Sequence, residues 1–281
     1  MPYHCLVTSE SPARQRPRPR KSLGQHWLAD RRYVSRIVAA ADIRPDETVI
    51  EVGAGAGALT GALSERAGRL VVVELDDALA EALRDRFRSR PQVQVVNADV
   101  LSLTPEQLLA GHDGQPYVVI GNFPYFIGTA ILRHFFYADR SPQRIVATLQ
   151  AEVAQNVAAQ PGAMGYLSVE VQLLAQARLL FSIPPRAFRP PPKVRSAVVR
   201  LDRRQQLLLP KADQPAFLEL ARAGFAAPRK QLRNSLAVGL RIEGEAAQSL
   251  LVAAGIDPTR RPQTLSLEEW LRLFAAWRAG Q

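Results

Sequence analysis

The feature that most constrains this 281-residue chain is a regular alternation of short apolar runs with helix-period runs over residues 48–202. TVIEVGA (48–54) is an apolar strand that runs into a glycine-rich turn. ALTGALSERAG (58–68) predicts a helix closed by Gly68 as its C′ residue. LVVVELD (70–76) is a second strand, and DALAEALRDRFRSR (77–90) a helix that must end before Pro91. VQVVNAD (93–99), YVVIGN (117–122) and RIVATLQ (144–150) continue the strand series, with a short helix at PEQLLAG (105–111). These strands show little period-2 alternation, so both of their faces are expected to be buried. Strand–helix alternation of this kind specifies an α/β fold, a mostly parallel sheet covered by helices.

The flanks read differently. Residues 1–20 are Pro- and Arg-rich without apolar period and predict a flexible basic arm. Tyr33, Ile37, Val38 and Ala41 predict the inner face of a helix with Asp30 as N-cap. A helix starts near Glu152 and is broken by Pro161-Gly162, LSVEVQLLAQA (167–177) predicts another, and LLFSI (179–183) and SAVVRLD (196–202) predict late strands around a proline-rich loop. Beyond residue 205 only helical periodicity remains. The expected organisation is an arm (1–20), an α/β domain (21–205) and a small helical domain (206–281).

Charge narrows the partner. The chain carries +10 at neutral pH. Residues 1–36, 186–204 and 222–241 hold +6, +6 and +5, so the rest is net −7. Three basic blocks on a mildly acidic body point to a polyanion, nucleic acid or an anionic surface. The single cysteine, Cys5, excludes an internal disulfide, and the four histidines show no metal-ligand spacing, so no metal is expected. No apolar run approaches the ~20 residues that span a bilayer, and the N-terminus lacks a secretory h-region, so a cytoplasmic protein without membrane contact is expected.

The strongest local signal is Glu51-Val52-Gly53-Ala54-Gly55-Ala56-Gly57. A glycine-rich strand-to-helix turn lets backbone approach a ligand closely. Dinucleotide sites use G-x-G-x-x-G to seat a pyrophosphate. Here the spacing is G-x-G-x-G after an acid, which repels a pyrophosphate and suits a cationic ligand such as a sulfonium amino acid; a tight turn without ligand is the alternative. Glu74 ends the second strand where an acid accepts from ribose hydroxyls, and Asp99 ends the third where a carboxylate can accept from an adenine amino group. Each acid alone also fits a helix cap. Asn122-Phe123-Pro124-Tyr125 ends the fourth strand. The Asn side-chain oxygen and a carbonyl freed by the proline turn can accept both hydrogens of an exocyclic amine, with Tyr125 stacking on the ring, a grip for an adenine or cytosine taken out of its stack.

With these residues in view, the chain resembles the small-subunit ribosomal RNA adenine N6-dimethyltransferases, within the Rossmann-like S-adenosylmethionine-dependent methyltransferases. The resemblance covers residues 21–281 and rests on Ser22 to Leu28, Glu51 to Thr60, Val73 to Asp76, Ala98-Asp99, Gly121 to Thr129, Leu149 to Val153, Leu167 to Val169, Phe188 to Val194 and Arg229 to Leu236. It implies a Rossmann-like methyltransferase domain with a C-terminal helical domain that contacts RNA. Gly53 would pass the methionine portion of S-adenosylmethionine, Glu74 hold the ribose and Asp99 the adenine amino group, with His26 and Leu28 closing over the cofactor. Asn122, which also borders the cofactor, would hold the target adenine with Pro124 and Tyr125, and Phe188 would pack on its other face. The chain departs from the family pattern at His26-Trp27, where Asn-Phe is usual, and at Phe126, Gly128 and Arg195, where Asn, Ser and Asp are usual.

The resemblance implies dimethylation of two adjacent adenosines in a 3′-terminal hairpin of 16S ribosomal RNA, by a monomer acting on a 30S subunit or its precursor. The competing readings are a large-subunit (23S) enzyme of the erythromycin-resistance type, a non-catalytic RNA-binding assembly factor, and a nicotinamide dehydrogenase.

Overall fold

The computed structural model describes residues 25–111 and 114–280. The arm expected over residues 1–20 lies outside the described residues.

The chain order is β1 (Trp27–Leu28), α1 (Arg31–Ala41), β2 (Thr48–Val52), α2 (Ala58–Leu63), β3 (Arg69–Glu74), α3 (Asp77–Phe87), β4 (Val93–Asn97), α4 (Pro105–Leu108), β5 (Tyr117–Asn122), α5 (Gly128–Phe136) and β6 (Arg144–Gln150). It continues with α6 (Ala151–Val157), α7 (Tyr166–Leu174), β7 (Ala175–Ile183), β8 (Phe188–Arg189), β9 (Ser196–Arg203) and the helices α8 (Gln214–Gly224), α9 (Leu232–Leu240), α10 (Gly244–Ala253) and α11 (Leu267–Ala279). Seven strands form one sheet in the order β4-β3-β2-β5-β6-β9-β7. The β4-β3-β2-β5-β6 part is parallel, and β9 runs antiparallel between β6 and β7.

Strand periodicity sorts the apolar runs onto two faces. Ile50, Val71, Val73, Val119, Ile145 and Ala147 join the core under α4 to α7. Val49, Leu70, Val72, Val118, Ile120 and Val146, their neighbours in sequence, join the core under α1 to α3. Successive side chains of a strand point to opposite faces, so a continuous apolar run is what a doubly covered sheet requires. α1 begins as the sequence predicts: the Asp30 carboxylate accepts from the Arg32 N–H at 3.0 Å, and Val34, Ile37, Val38 and Ala41 are buried.

Two boundaries differ most from the sequence reading. The helix expected over 167–177 stops at Leu174, and Ala175-Gln176-Ala177 start β7 instead, paired with Arg203, Asp202 and Leu201 of β9. Cross-strand pairing there outweighs the weak helical preference of three residues. The helix expected to close at Gly68 ends at Leu63 with Ser64 as its cap. Gly68 is not a helix terminator; a Cβ on it would lie 3.0 Å from the Pro45 carbonyl oxygen, so close backbone approach accounts for the glycine. The sequence also did not predict the ladder in which β1 pairs antiparallel with β8, joining the first described segment to the proline-rich loop.

The C-terminal helices build a third core around Phe217, Leu220, Leu236, Leu251 and Trp270, which takes in Met164, Val169 and Leu173 from the α6–α7 region. They therefore pack on the α/β body. Among the described residues no helix is long and apolar enough to cross a membrane.

One buried ion pair anchors the amino ends of the central strands. Arg144, at the start of β6, pairs with Glu47 and donates to the carbonyls of Ala41 and Asp42, which end α1. The two side chains are 6% and 1% exposed. Removing one member of such a pair strands an uncompensated buried charge, at a cost of about 3–5 kcal/mol. Arg144→Ala is expected to lower unfolding free energy by that amount in urea titrations, while the double replacement Glu47→Leu/Arg144→Met recovers most of the loss.

Candidate functional site

β2, β3, β4 and β5 end on one edge of the sheet, and the strand order reverses between β2 and β5. Parallel sheets bind ligands in the crevice outside such a switch point. The structure has a cleft there, lined by the ends of β2, β3 and β5 and by residues 25–27.

The floor is the glycine turn after β2. Gly53, Gly55 and Gly57 all have positive φ, 74°, 55° and 75°. Gly55 shows why: besides its φ, a Cβ there would stand 2.7 Å from Trp27 Cδ1, so any side chain would push away the segment that crosses the turn. Gly53 lines the cleft, its N–H bonded to the Val73 carbonyl at 2.9 Å.

Two acids face this floor. Glu74 is buried at the end of β3, with Oε2 accepting from the Gly55 N–H at 2.8 Å and Oε1 from the Asp76 N–H at 3.0 Å. A carboxylate has about four acceptor positions, so these bonds do not exhaust its capacity for a ligand. Burial raises its pKa, opposed by the N–H groups of Asp76 and Gly55. Asp99 is exposed on the cleft wall and caps a short turn through the Leu101 N–H at 2.9 Å. Leu75 and Val100, each directly after one of these acids, supply apolar cleft walls.

The far wall is the end of β5. The Asn122 Nδ2 donates to the His26 carbonyl at 2.7 Å, and its Oδ1 is buried without a partner. An orphaned buried acceptor costs about 1–3 kcal/mol, so its presence calls for a donor that the fold does not supply. The Pro124 carbonyl accepts from the Ile127 N–H at 3.1 Å, whereas the Phe123 carbonyl receives none of the backbone bonds in this loop. The Tyr125 hydroxyl bonds Ser196, and its ring stacks on His26 at 5.8 Å and 26°. Burial raises the Tyr125 pKa. His26 Nδ1 donates to the Pro190 carbonyl at 2.8 Å.

His26, Gly53, Glu74, Asp99, Asn122, Pro124 and Tyr125 thus line one cleft. Leu28 and Phe188 do not. They stand directly opposite each other in the β1–β8 ladder, 6% and 1% exposed, in the core beside α1. Opposed residues of an antiparallel pair share a face, and here that face is turned inward. The structure places both side chains in the core, where they hold the ladder next to His26 and Pro190. Residues that the motif reading passed over, Trp27, Leu75 and Val100, line the cleft; the signal for the last two is their place one residue after a strand-end acid.

The donor set fits a nucleoside-bearing ligand: spare carboxylate acceptors, apolar walls for a ring, a glycine floor without side chains, and one unmet acceptor on the far wall. Comparison with known proteins agrees. A model of the ribosomal RNA adenine dimethylases matches residues 16–278. The ribosomal RNA small subunit methyltransferase A of Dehalococcoides mccartyi (strain CBDB1) is 45% identical over 254 residues, 90% of this chain and 87% of that protein. Its counterpart in Geobacter metallireducens is 40% identical over 265 residues, 93% and 96% of the two chains. The chain belongs to the ribosomal RNA adenine dimethylase family. Among solved structures, the 23S rRNA methyltransferase ErmE is 31% identical with a TM-score of 0.74, over 89% of this chain and 98% of that one. A dimethyladenosine transferase from Plasmodium falciparum shares the fold at 20% identity, with a TM-score of 0.77 over 90% and 98%. The dimethylase family accounts for the Rossmann-like methyltransferase fold and for S-adenosylmethionine as methyl donor.

Glu51 needs a different role from the one its sequence position suggests. On β2 it alternates with Ile50 and the cleft-lining Val52, so it points to the opposite face, 1% exposed and next to Thr60 of α2. Burial pushes its pKa up to about 8, with Glu74 adding to the shift and Thr60 opposing it. At neutral pH the ligand-free site holds it mostly protonated, on the face of β2 turned away from the cleft. The unfolded chain ionises Glu51 near 4.5 and the folded chain near 8, so the unfolded state gains between those values. Stability is expected to fall as pH rises from about 4.5 to about 8 and then level off. Glu51→Gln is expected to flatten that fall in denaturation midpoints measured across the range.

Proposed function

We propose that the chain dimethylates the N6 amines of two adjacent adenosines in a 3′-terminal hairpin of small-subunit ribosomal RNA. The observation that carries this is the Asn122 amide: Nδ2 is held by the His26 carbonyl, which leaves the buried Oδ1 without a partner on the cleft wall. An exocyclic amine supplies two N–H donors, and the Phe123 carbonyl is the second acceptor beside Asn122. Accepting both hydrogens favours a more tetrahedral nitrogen, which takes its lone pair out of conjugation with the ring and fixes its direction. Tyr125 stacks on the purine, with its hydroxyl fixed by Ser196. S-adenosylmethionine, when bound, supplies an electrophilic methyl group. Glu74 and Asp99 hold the ribose and the adenine amine of the cofactor, and Gly53 leaves room for its methionine end. Positioning and electrostatic complementarity carry such chemistry without a general base.

The small-subunit target is favoured because the relatives at 40–45% identity are small-subunit enzymes, whereas ErmE stands at 31%. The substrate is a 30S subunit or its precursor, met by a monomer in the cytoplasm. The helical domain contacts RNA through exposed Arg229 and Lys230.

Asn122→Ala is expected to reduce labelled methyl transfer to undermethylated 30S subunits by about 10²–10³-fold, the usual effect of losing one preorganised group that meets developing charge. Full activity in that variant contradicts the assigned grip. Arg229→Gln/Lys230→Gln is expected to lower the salt slope of RNA binding by about one unit per lost phosphate contact, with S-adenosylmethionine affinity unchanged in calorimetry.

A further inference from the structure

Phe126 is 66% exposed, the most exposed large aromatic among the described residues, and it lines the cleft mouth beside the base grip. Pro124 to Ile127 form a turn closed by the Ile127 N–H on the Pro124 carbonyl, with Tyr125 and Phe126 at its two central positions. Exposure at a turn corner is ordinary, but such corners favour Gly, Asn or Asp, and nothing in the turn requires a ring. Tyr125 has its hydroxyl fixed by Ser196 and one neighbour in His26, whereas Phe126 projects outward.

The surroundings give the ring a use. His26 joins the Tyr125 ring to the Pro190 carbonyl, and Ser196 joins its hydroxyl to the start of β9. The loop between those anchor points is tied at both ends to cleft-lining residues, and it carries exposed Lys193 and Arg195, with exposed Arg189 just before it. An exposed aromatic next to a track of cations is the arrangement by which proteins hold unpaired nucleotides: bases stack on the ring and phosphates follow the charge.

We propose that Phe126 is a stacking platform for the nucleobase adjacent in the RNA to the adenine held by Asn122, with Arg189, Lys193 and Arg195 receiving the intervening phosphates. This rests on the proposed RNA methylation and adds a second base subsite to it. The platform is sequence-tolerant, since every base has a π-face, so it orients the strand at the mouth and sets RNA affinity. Adjacent target adenosines could then use it in turn, each occupying the platform while the other is in the grip.

The test compares the full chain with Phe126→Ala, Phe126→Leu and Phe126→Trp. Steady-state methylation of undermethylated 30S subunits is measured together with S-adenosylmethionine affinity and thermal midpoint. Base stacking on an aromatic predicts a KM for the subunit raised about 5- to 150-fold by alanine, a similar loss with leucine, and recovery with tryptophan. Cofactor affinity and midpoint are expected to stay at wild-type values. A 3′-terminal rRNA hairpin with 2-aminopurine next to a target adenosine is expected to be quenched by the wild type and the tryptophan variant, and not by the alanine variant. Wild-type KM and quenching in Phe126→Ala overturn the proposal, as does a parallel loss of cofactor affinity, which marks a structural role. A wild-type chain that methylates no rRNA refutes the proposed function itself, and the platform with it.

Discussion

The site depends on the parallel alignment of β2, β3 and β5, which brings three chain exits to one sheet edge. Each exit turns there, and each turn carries one part of the site: the glycine floor after β2, Glu74 at the end of β3, Asn122 at the end of β5. The parts are held to one another as well as to their strands. Glu74 accepts from the Gly55 N–H, and Asn122 donates to the His26 carbonyl. The second bond has a chemical consequence. Bonding Nδ2 to that carbonyl fixes the orientation of the amide, so the crossing segment sets where Oδ1, the unpartnered acceptor, stands in the cleft wall.

Charge is divided by depth. Glu74 is buried with its backbone partners, and Glu51 is buried and mostly neutral. Lys193 and Arg195 of the β8–β9 loop, Arg189 beside it, and Arg229 and Lys230 of the C-terminal helices are exposed. A polyanion can therefore dock on the outside while the cleft keeps acceptors for nucleoside hydroxyls and amines. The +10 balance first suggests only a polyanionic partner. Placed on the structure, part of its excess, exposed Arg189, Lys193 and Arg195, lies on and beside the loop whose ends bond His26 and Tyr125 of the cleft.

Much of this is legible in the sequence because strand periodicity, helix caps and strand-end motifs are local. The apolar run at 48–52, the Asp30 cap, the G-x-G-x-G turn and the Asn-Phe-Pro-Tyr segment each occupy neighbouring residues, so their conformations follow from their own order. What the sequence does not show has tertiary causes. Ala175-Gln176-Ala177 took a strand because β9 offered them hydrogen-bond partners. Phe188 and Leu28 are expected at the site from the family resemblance, and the β1–β8 pairing buries both side chains in the core, a placement that no local pattern shows. Glu51 reads as a ligand-facing charge until the alternation along β2 puts it on the other face.

The sequence by itself determined the α/β layering, the cleft's polar inventory and the family. These follow from residues within a few positions of one another. Only the tertiary structure decided which of those residues meet a ligand and in which orientation. The bond that aims Asn122 spans 96 positions, and the contacts that seat His26 and Tyr125 against the proline-rich loop and β9 span 164 and 71. No local preference can set interactions at that separation, because they exist only once the sheet has closed and the first described segment has paired with β8.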